Sequence, residues 1–157
     1  MSIKLLVIGK SDKGFVTAGE AEYLKRLRRF HKVEKIELAD IKNARHLSAS
    51  ELKRLEGQKF LEVLQPNDIL ILLDENGKRW SSRAFAGQLQ KWLNTTSGSI
   101  VLAIGGAYGF SDELKQKAHA LLSLSDMTFS HQLIRVIFLE QLYRAFTILN
   151  NHPYHND

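Results

Sequence analysis

The chain has 157 residues, of which 44% are hydrophobic and 25% are charged, with a net charge of +5 at neutral pH and no cysteine. These totals predict one soluble domain, residues 1–157, that is large enough to bury a core, and they exclude disulfides, a thiol nucleophile and thiolate metal sites. The chain contains no uncharged run of about eighteen apolar residues, and its opening MSIKLLVIGK has too short an apolar run for a signal peptide, so we expect a cytoplasmic protein with no membrane span.

The first half of the chain alternates apolar strands with amphipathic helices. Residues 3–8 (IKLLVI) predict a buried strand, and residues 18–31 predict a helix because their apolar side chains recur at helical spacing. Residues 33–38 (VEKIEL) alternate with period two, which is typical of a strand with one wet face. The capping box S-A-S-E then predicts that a helix begins at Ser48 and runs over 48–64.

The second half repeats the alternation. Residues 68–73 (DILILL) form a continuous apolar run, typical of a strand covered on both faces, and DENG at 74–77 predicts a turn. The remaining predicted elements are a helix over 81–94, a strand over 99–104, a turn at GGAYG, a helix over 111–120, a mixed strand and loop over 122–129, and a helix over 131–149. The resulting βαβαβαβαβα order predicts an α/β fold with a mostly parallel sheet and helices on both faces.

Positive charge is concentrated near the N-terminus, where residues 1–59 hold 14 Lys and Arg against 8 Asp and Glu. The stretch YLKRLRRFHKVEK at 23–35 is either a solvated helix face or a surface that binds the phosphates of a nucleic acid. The residues that would contact RNA are Lys25, Arg26, Arg28, Arg29 and Lys32.

Glycines follow two of the predicted strands. GKSDKG at 9–14 lacks the Lys-Ser/Thr pair that a phosphate loop needs, so it predicts only a flexible strand exit. IGGAYG at 104–109 places Gly105 and Gly106 at a carboxyl strand end, where open α/β sheets bind ligands, and we favour a ligand site over a simple turn. The loop in LSLSDMTF at 122–129 is able to cradle an adenine with its backbone amides, whereas Ser123 and Ser125 lack the context of a nucleophile.

The last helix is apolar on nearly every face, which predicts that a partner subunit covers one side of it. Glu140 and Arg144 form an i,i+4 pair on this helix. The tail that follows, NNHPYHND, has three open interpretations: a metal site, a disordered end, or a segment that folds over a site. The metal alternative lacks a third ligand, so we predict no metal.

Four segments together resemble one family: LLDENG, IGGAYGF, LSLSDMTFSH and RVIFLEQLYRAFTILNNHPYH. The chain resembles, from its first strand to its last residue, the SPOUT-class methyltransferases that act on N3 of a pseudouridine in large-subunit (23S) ribosomal RNA. The resemblance implies a C-terminal trefoil knot that holds S-adenosyl-L-methionine, and a homodimer in which the tail of one subunit completes the site of the other. It further implies an assembled ribosome as substrate. The cofactor pocket would use Leu73, Gly105, Gly106, Leu124, Ser125, Asp126, Met127, Thr128 and Phe129.

One residue departs from the family pattern, because Ser130 stands where proline is common. The resemblance and the clustering at the end of the last helix together point to three catalytic residues. Arg144 would stabilise the ring anion, Tyr154 would pack the base, and His155 would accept the imide proton or orient the base. Two rival functions remain at this point: a non-catalytic ribosome-associated module, which leaves the glycine turn unexplained, and a flavodoxin-like nucleotide-binding protein, which leaves the tail unexplained.

Overall fold

The computed structural model describes residues 1–157, and its centre is a five-stranded, wholly parallel sheet. The strands are β1 (Ile3–Ile8), β2 (Val33–Leu38), β3 (Ile69–Arg79), β4 (Ile100–Ile104) and β5 (Ala120–Ser123). They lie in the order β2-β1-β4-β3-β5, and every neighbouring pair is parallel. The predicted α/β class with a parallel sheet is therefore confirmed, whereas the trefoil knot stays a prediction.

Helices cover both faces of this sheet. They are α1 (Phe15–Leu27), α2 (Ala49–Glu62), α3 (Ser82–Thr95), α4 (Asp112–Lys117) and α5 (Leu133–Leu149), with a short 3-10 turn at Ala44–His46 before α2. α1, α3 and α5 pack on one face, and α2 and α4 pack on the other. None of the helices is long and apolar enough to span a bilayer.

The core divides into two layers because successive strand residues point to opposite faces. In β1, Leu5 and Val7 join the larger layer under α1, α3 and α5, while Leu6 and Ile8 join the smaller layer under α2 and α4. All five residues of β4 are buried, as expected for a central strand covered on both sides. The buried sheet leaves its carboxyl edge as the place where loops can form a site.

Local capping signals set where two helices begin. Ser48 Oγ accepts a hydrogen bond from the Glu51 backbone N–H at 3.1 Å, and the Glu51 carboxylate accepts one from the Ser48 N–H at 3.1 Å. The capping box predicted for α2 is therefore present, and it satisfies two donors that would otherwise lack partners. Ser81 caps α3 in the same way, through a bond from the Ala84 N–H.

The predicted turn at 74–77 is wrong, because these residues lie inside β3. The pairing of β3 with β5 shifts register between Leu73 and Lys78, so the intervening residues form a bulge rather than a chain reversal. Within the bulge, Asp74 Oδ1 accepts a hydrogen bond from the Asn76 N–H at 2.8 Å. Gly77 lies so close to β5 that a Cβ there would be 2.5 Å from the Leu121 carbonyl carbon.

Two helix boundaries also differ from the prediction. α1 covers Phe15–Leu27 rather than 18–31, because the chain leaves the helix at Arg28 to enter β2. α4 ends at Lys117, since β5 already begins at Ala120.

α5 is buried at Phe138, Leu139 and Leu142 but leaves Leu133 37% exposed, so the helix is not buried on every side.

Candidate active site

A cavity of about 540 Å³ lies at the carboxyl ends of β4 and β5, beside the bulge of β3. Eight of the nine residues predicted to bind the cofactor line it: Leu73, Gly105, Gly106, Leu124, Ser125, Met127, Thr128 and Phe129. The ninth, Asp126, is exposed outside the cavity and forms an ion pair with Arg79. The structure thus brings residues that are up to 56 positions apart into one concave site.

The turn after β4 brings other groups close to both predicted glycines. A Cβ on Gly105 would be 3.1 Å from the Gly109 carbonyl oxygen, and a Cβ on Gly106 would be 2.4 Å from Glu56 Oε2. Gly109 closes the turn with φ of 80° and a hydrogen bond from its N–H to the Gly106 carbonyl. Bare backbone therefore forms this wall of the cavity, which allows a ligand to approach the main chain closely.

Glu56 supports the glycine turn from the side of α2. Its side chain is 4% exposed, and its Oε1 has no hydrogen-bond partner. Burial, reinforced by the negative charge of Asp40, raises the pKa of Glu56 to about 7. Nothing in the sequence marks this glutamate, because glutamate is an ordinary residue for a helix such as α2 and its burial depends on the packing of α2 against the carboxyl edge.

Charged side chains occupy the rim of the same cavity. Asp74, which the sequence left without an assigned role, has a nearly buried carboxylate 3.4 Å from Lys115 Nζ. Lys53 from α2 also lines the cavity. Glu75 lines the cavity as well, so the site presents two carboxylates and two ammonium groups. These charges complement the ammonium and carboxylate of an amino acid moiety, while the apolar Leu73 and Leu124 side chains suit a purine ring.

The loop between β5 and α5 is held by its own serines. Ser123 Oγ donates to the Ser125 carbonyl at 3.1 Å, and Ser125 Oγ accepts from the Met127 N–H at 3.0 Å. Ser130, which departs from the family's proline, accepts from the Leu133 N–H at 3.0 Å. The bond from the first residue of α5 to Ser130 Oγ therefore holds the end of the loop where proline would have restricted φ.

Arg135 connects this loop to the other side of the sheet. Its side chain is 1% exposed, and its guanidinium donates to the carbonyls of Ile8 at 2.7 Å, Gly9 at 3.0 Å and His131 at 3.1 Å. Burial lowers the pKa of Arg135 from its usual value. From the sequence alone this arginine has no assigned role, although a charged residue among the apolar residues of α5 is a signal for a buried, hydrogen-bonded position.

The C-terminal tail is ordered because α5 ends in a reversal of the chain. Asn151 adopts φ of 54°, and the His152 N–H donates to the Thr147 carbonyl at 2.8 Å. This pattern is a Schellman-type C-cap with asparagine at the left-handed position. The tail therefore runs back along α5, and Tyr154 packs edge-on against Tyr143 with ring centroids 4.7 Å apart.

The reversal brings the three predicted catalytic residues together around Glu140. Arg144 Nε and Tyr154 Oη each donate to Glu140 Oε1 at 3.0 Å, and Arg144 Nη1 lies 3.1 Å from His155 Nδ1. Arg144 also lies over the Tyr154 ring at 4.9 Å. We call Glu140, Arg144, Tyr154 and His155 the tail cluster; none of these residues lines the cavity of the same chain.

Hydrogen-bond chemistry assigns protonation states within the tail cluster. A guanidinium only donates, so His155 Nδ1 must accept from Arg144, and the ring proton of neutral His155 lies on Nε2, which donates to Asp157 Oδ1 at 2.8 Å. Burial raises the pKa of Tyr154, and hydrogen bonds with Tyr23 and Glu140 raise it further. Hydrogen bonds from Arg83 and then His155 lower the pKa of Asp157 to about 2. The Tyr154 hydroxyl is therefore a neutral donor, and both His155 nitrogens are already engaged.

The predicted RNA-binding residues lie beside this cluster. Lys25, Arg28, Arg29 and Lys32 are exposed around the end of α1 and the start of β2, and Arg26 is half-buried. We call these five residues the basic surface. The Arg26 guanidinium lies 5.6 Å from the centre of the Tyr143 ring, and this same ring contacts Tyr154. One aromatic side chain therefore separates the basic surface from the tail cluster.

Known proteins resemble this chain over its whole length. The family described as "Predicted SPOUT methyltransferase" matches residues 1–155. A protein of Flavobacterium psychrophilum named "Ribosomal RNA large subunit methyltransferase H" is 50% identical over 156 residues, which are 99% of each chain. A protein of Parabacteroides distasonis with the same name is 47% identical over 157 residues, 100% of each chain.

Similarity in fold extends to a solved structure with a much more distant sequence. A probable methylase family protein from Haemophilus influenzae Rd KW20 superposes with a TM-score of 0.53 at 13% sequence identity. The superposition covers 95% of this chain and 66% of that chain. This likeness shows that the two proteins share a fold.

Proposed function

Because the chain belongs to the SPOUT methyltransferase family, and within it to the large-subunit ribosomal RNA methyltransferases H, we propose that it methylates N3 of a pseudouridine in 23S ribosomal RNA. The methyl donor is S-adenosyl-L-methionine, and the substrate is the assembled ribosome in the cytoplasm. The whole chain acts as one catalytic domain. The observation that carries the proposal is the cavity at the carboxyl edge, with its two bare glycines and its capped loop.

The residues of this cavity fit the proposed cofactor. Leu73, Leu124 and the backbone of the 124–129 loop offer an apolar slot and amide groups for the adenine, and Gly105 and Gly106 admit the ribose against the main chain. Lys53 and Asp74 match the two charges of the methionine moiety. When bound, the cofactor supplies an electrophilic methyl group on a sulfonium.

The acceptor must become nucleophilic before it reacts. The ring N3–H of pseudouridine is an imide, so its proton passes to water as the N3–methyl bond forms, and the sulfur–methyl bond breaks to leave S-adenosylhomocysteine. We assign Arg144 to stabilise the charge that develops on the flanking carbonyl oxygens, and Tyr154 to pack the base. His155 orients Arg144, because its Nδ1 is the acceptor of the Arg144 bond.

We propose a homodimer in which the tail cluster of one subunit reaches the cavity of the other. Two observations support this arrangement. The tail cluster does not line the cavity of its own chain. Apolar side chains at the start of α5 and in the loop before it are also left open, with Leu133 37% and Phe129 39% exposed. In a two-fold dimer, one face of a subunit contacts the same face of its partner. A contact through this face would therefore cover the exposed apolar side chains of both subunits.

The decisive experiment is methyl transfer on ribosomes purified from cells that lack this activity. The protein is incubated with labelled S-adenosyl-L-methionine and these ribosomes, and the methyl group is mapped by mass spectrometry of digested RNA. We expect one N3-methylpseudouridine in 23S RNA and none with free RNA. Cofactor binding without transfer would indicate another RNA target, and no cofactor binding would leave only the ribosome-associated module.

A further inference from the structure

A second cavity of about 290 Å³ adjoins the proposed cofactor cavity. The two cavities share Leu122, Leu124 and Phe129 as a common wall. The rest of the second cavity comes from the start of α3 and the middle of α5. We propose, on the basis of the function above, that this second cavity holds the target base during transfer and that Gln141 reads it as pseudouridine.

The position and size of the cavity suit a single base. Methyl transfer requires donor and acceptor atoms about 3 to 3.5 Å apart, so the acceptor ring must occupy space next to the cofactor site. A volume of about 290 Å³ accommodates one pyrimidine ring but not a second cofactor. Most of its walls are apolar or aromatic, including Trp80 and Phe129, as expected of a site that receives a base removed from its stack.

The polar groups of the cavity have a fixed orientation. Ser82 Oγ donates to Gln141 Oε1 at 2.8 Å, and Gln141 Nε2 donates to Glu140 Oε2 at 3.0 Å. Because a carboxylate only accepts hydrogen bonds, the Gln141 side-chain atom that faces Glu140 must be the amide nitrogen. The Gln141 oxygen therefore points away from Glu140, toward Ser82 on the cavity wall, as a hydrogen-bond acceptor.

The same bonds connect this wall to the tail cluster. Glu140 accepts from Gln141 through one oxygen and from Arg144 and Tyr154 through the other. A base that hydrogen-bonds to Gln141 is thus connected, through a single carboxylate, to the Arg144 of the same subunit. In the proposed dimer this is not the Arg144 that acts on the base, because that arginine comes from the other subunit's tail.

An acceptor at Gln141 distinguishes pseudouridine from uridine. In pseudouridine the sugar is joined through C5, so ring N1 carries a hydrogen that is absent from uridine, where N1 bears the sugar. With N3 directed to the shared wall, N1–H is free to donate to the Gln141 oxygen. Uridine offers no N–H to this partly buried oxygen, which then keeps only its bond from Ser82, and a site built to bind a substrate N–H rejects an analogue that lacks it.

The test compares two ribosome substrates that differ only at the target position, which is pseudouridine in one and uridine in the other. The measured quantity is the ratio of kcat/KM for the two substrates. We expect Gln141→Leu to reduce this ratio at least tenfold, mainly by slowing transfer to pseudouridine. Gln90→Leu is the matched control, because Gln90 is exposed on α3 and bonds only Asn94; its ratio should equal that of the wild type.

A second variant tests the cavity itself. Ser82→Trp should fill the space and abolish transfer, while cofactor affinity measured by calorimetry and dimer mass measured by light scattering stay at wild-type values. An unchanged substrate ratio in Gln141→Leu would overturn the proposal. If Ser82→Trp dissociates the dimer, the proposal is also overturned, because the second cavity would then be part of the subunit interface and not a site for the base. If the wild type transfers no methyl to pseudouridine at all, the proposed function fails instead.

Discussion

A buried carboxyl group at Glu56 supports the glycine turn, and its environment disfavours the charged form. Its side chain is 4% exposed, and one oxygen lacks a hydrogen-bond partner. A carboxyl whose pKa is raised on folding binds more protons in the folded state than in the unfolded state at intermediate pH. Its contribution to stability is therefore lost as pH rises from about 4.5, its ordinary value, to about 7.

Glu56→Gln should remove this pH dependence. We expect the free energy of unfolding of the variant to match that of the wild type near pH 4.5 and to exceed it by about 1 to 3 kcal/mol at pH 8, because the amide is never charged. Urea unfolding across this pH range measures the difference. Glu62→Gln, on the exposed side of α2, is the control and should follow the wild-type curve; parallel curves for both variants would contradict the role given to Glu56.

The protonation states of the tail cluster separate charge stabilisation from proton transfer. The Tyr154 hydroxyl already donates to Glu140, and burial raises its pKa, so it is poorly suited to accept a proton. We expect Tyr154→Phe, which keeps the ring against Tyr143, to lower kcat about tenfold or less. Arg144→Ala should lower kcat by about 10² or more, because it removes a cation aimed at developing charge. A loss of 10² or more in Tyr154→Phe, with an altered pH profile, would identify Tyr154 as the base.

At the scale of elements, the tail depends on one left-handed residue at the end of α5. Asn151 adopts φ of 54°, which glycine and asparagine tolerate and β-branched residues do not. Asn151→Val should therefore release the tail at a cost of about 1 to 2 kcal/mol, while Asn151→Gly should keep it folded. Hydrogen exchange at the His152 N–H reports tail release, and methyl transfer should fall in parallel. Equal protection of this N–H in both variants would show that the reversal does not hold the tail.

The sequence predicts the order of the elements but not the irregularities between them. The apolar runs of β1 and β4 and the capping box at Ser48 are local signals, and each produced a correct element. DENG is ambiguous because the same residues suit a turn and a bulge, and only pairing with β5 decides between them. The tail was left open for a similar reason, since the value of φ at Asn151 depends on Tyr154 finding Tyr143.

The same limit applies to the site. The glycines of the turn could be predicted because close backbone approach requires that residue type, and eight of nine proposed cofactor residues meet in one cavity. Glu56, Arg135 and Gln141 could not be assigned from the sequence, because their partners lie far away in the chain. The family resemblance pointed to residues that a local pattern does not distinguish, such as Arg144.

At the scale of the whole molecule, the basic surface should govern binding to the ribosome and leave the cofactor site unaffected. Replacing Arg28, Arg29 and Lys32 with Glu removes phosphate contacts, so we expect weaker ribosome affinity and a shallower dependence of log K on log salt, by about 0.7 to 0.9 per lost contact. Reversing the exposed Lys91 on α3 and Arg54 on α2 is the control. Cofactor affinity should not change in either variant. A salt dependence equal to that of the wild type would place the RNA on another face.

The proposed dimer predicts that two inactive variants regain activity when they are mixed, which a site formed within one subunit cannot do. Ser125→Trp places an indole on a residue that lines the cavity and should block it, whereas Arg144→Ala disables the tail. Each homodimer should be inactive. If the tail completes the partner's site, a mixed dimer of the two variants contains one intact pair of cavity and tail, so random mixing restores about a quarter of the sites. If each tail serves its own chain, every site in the mixture carries a defect and no activity returns. Mixing the two purified variants after reversible unfolding, with thermal stability checked for each, distinguishes these arrangements.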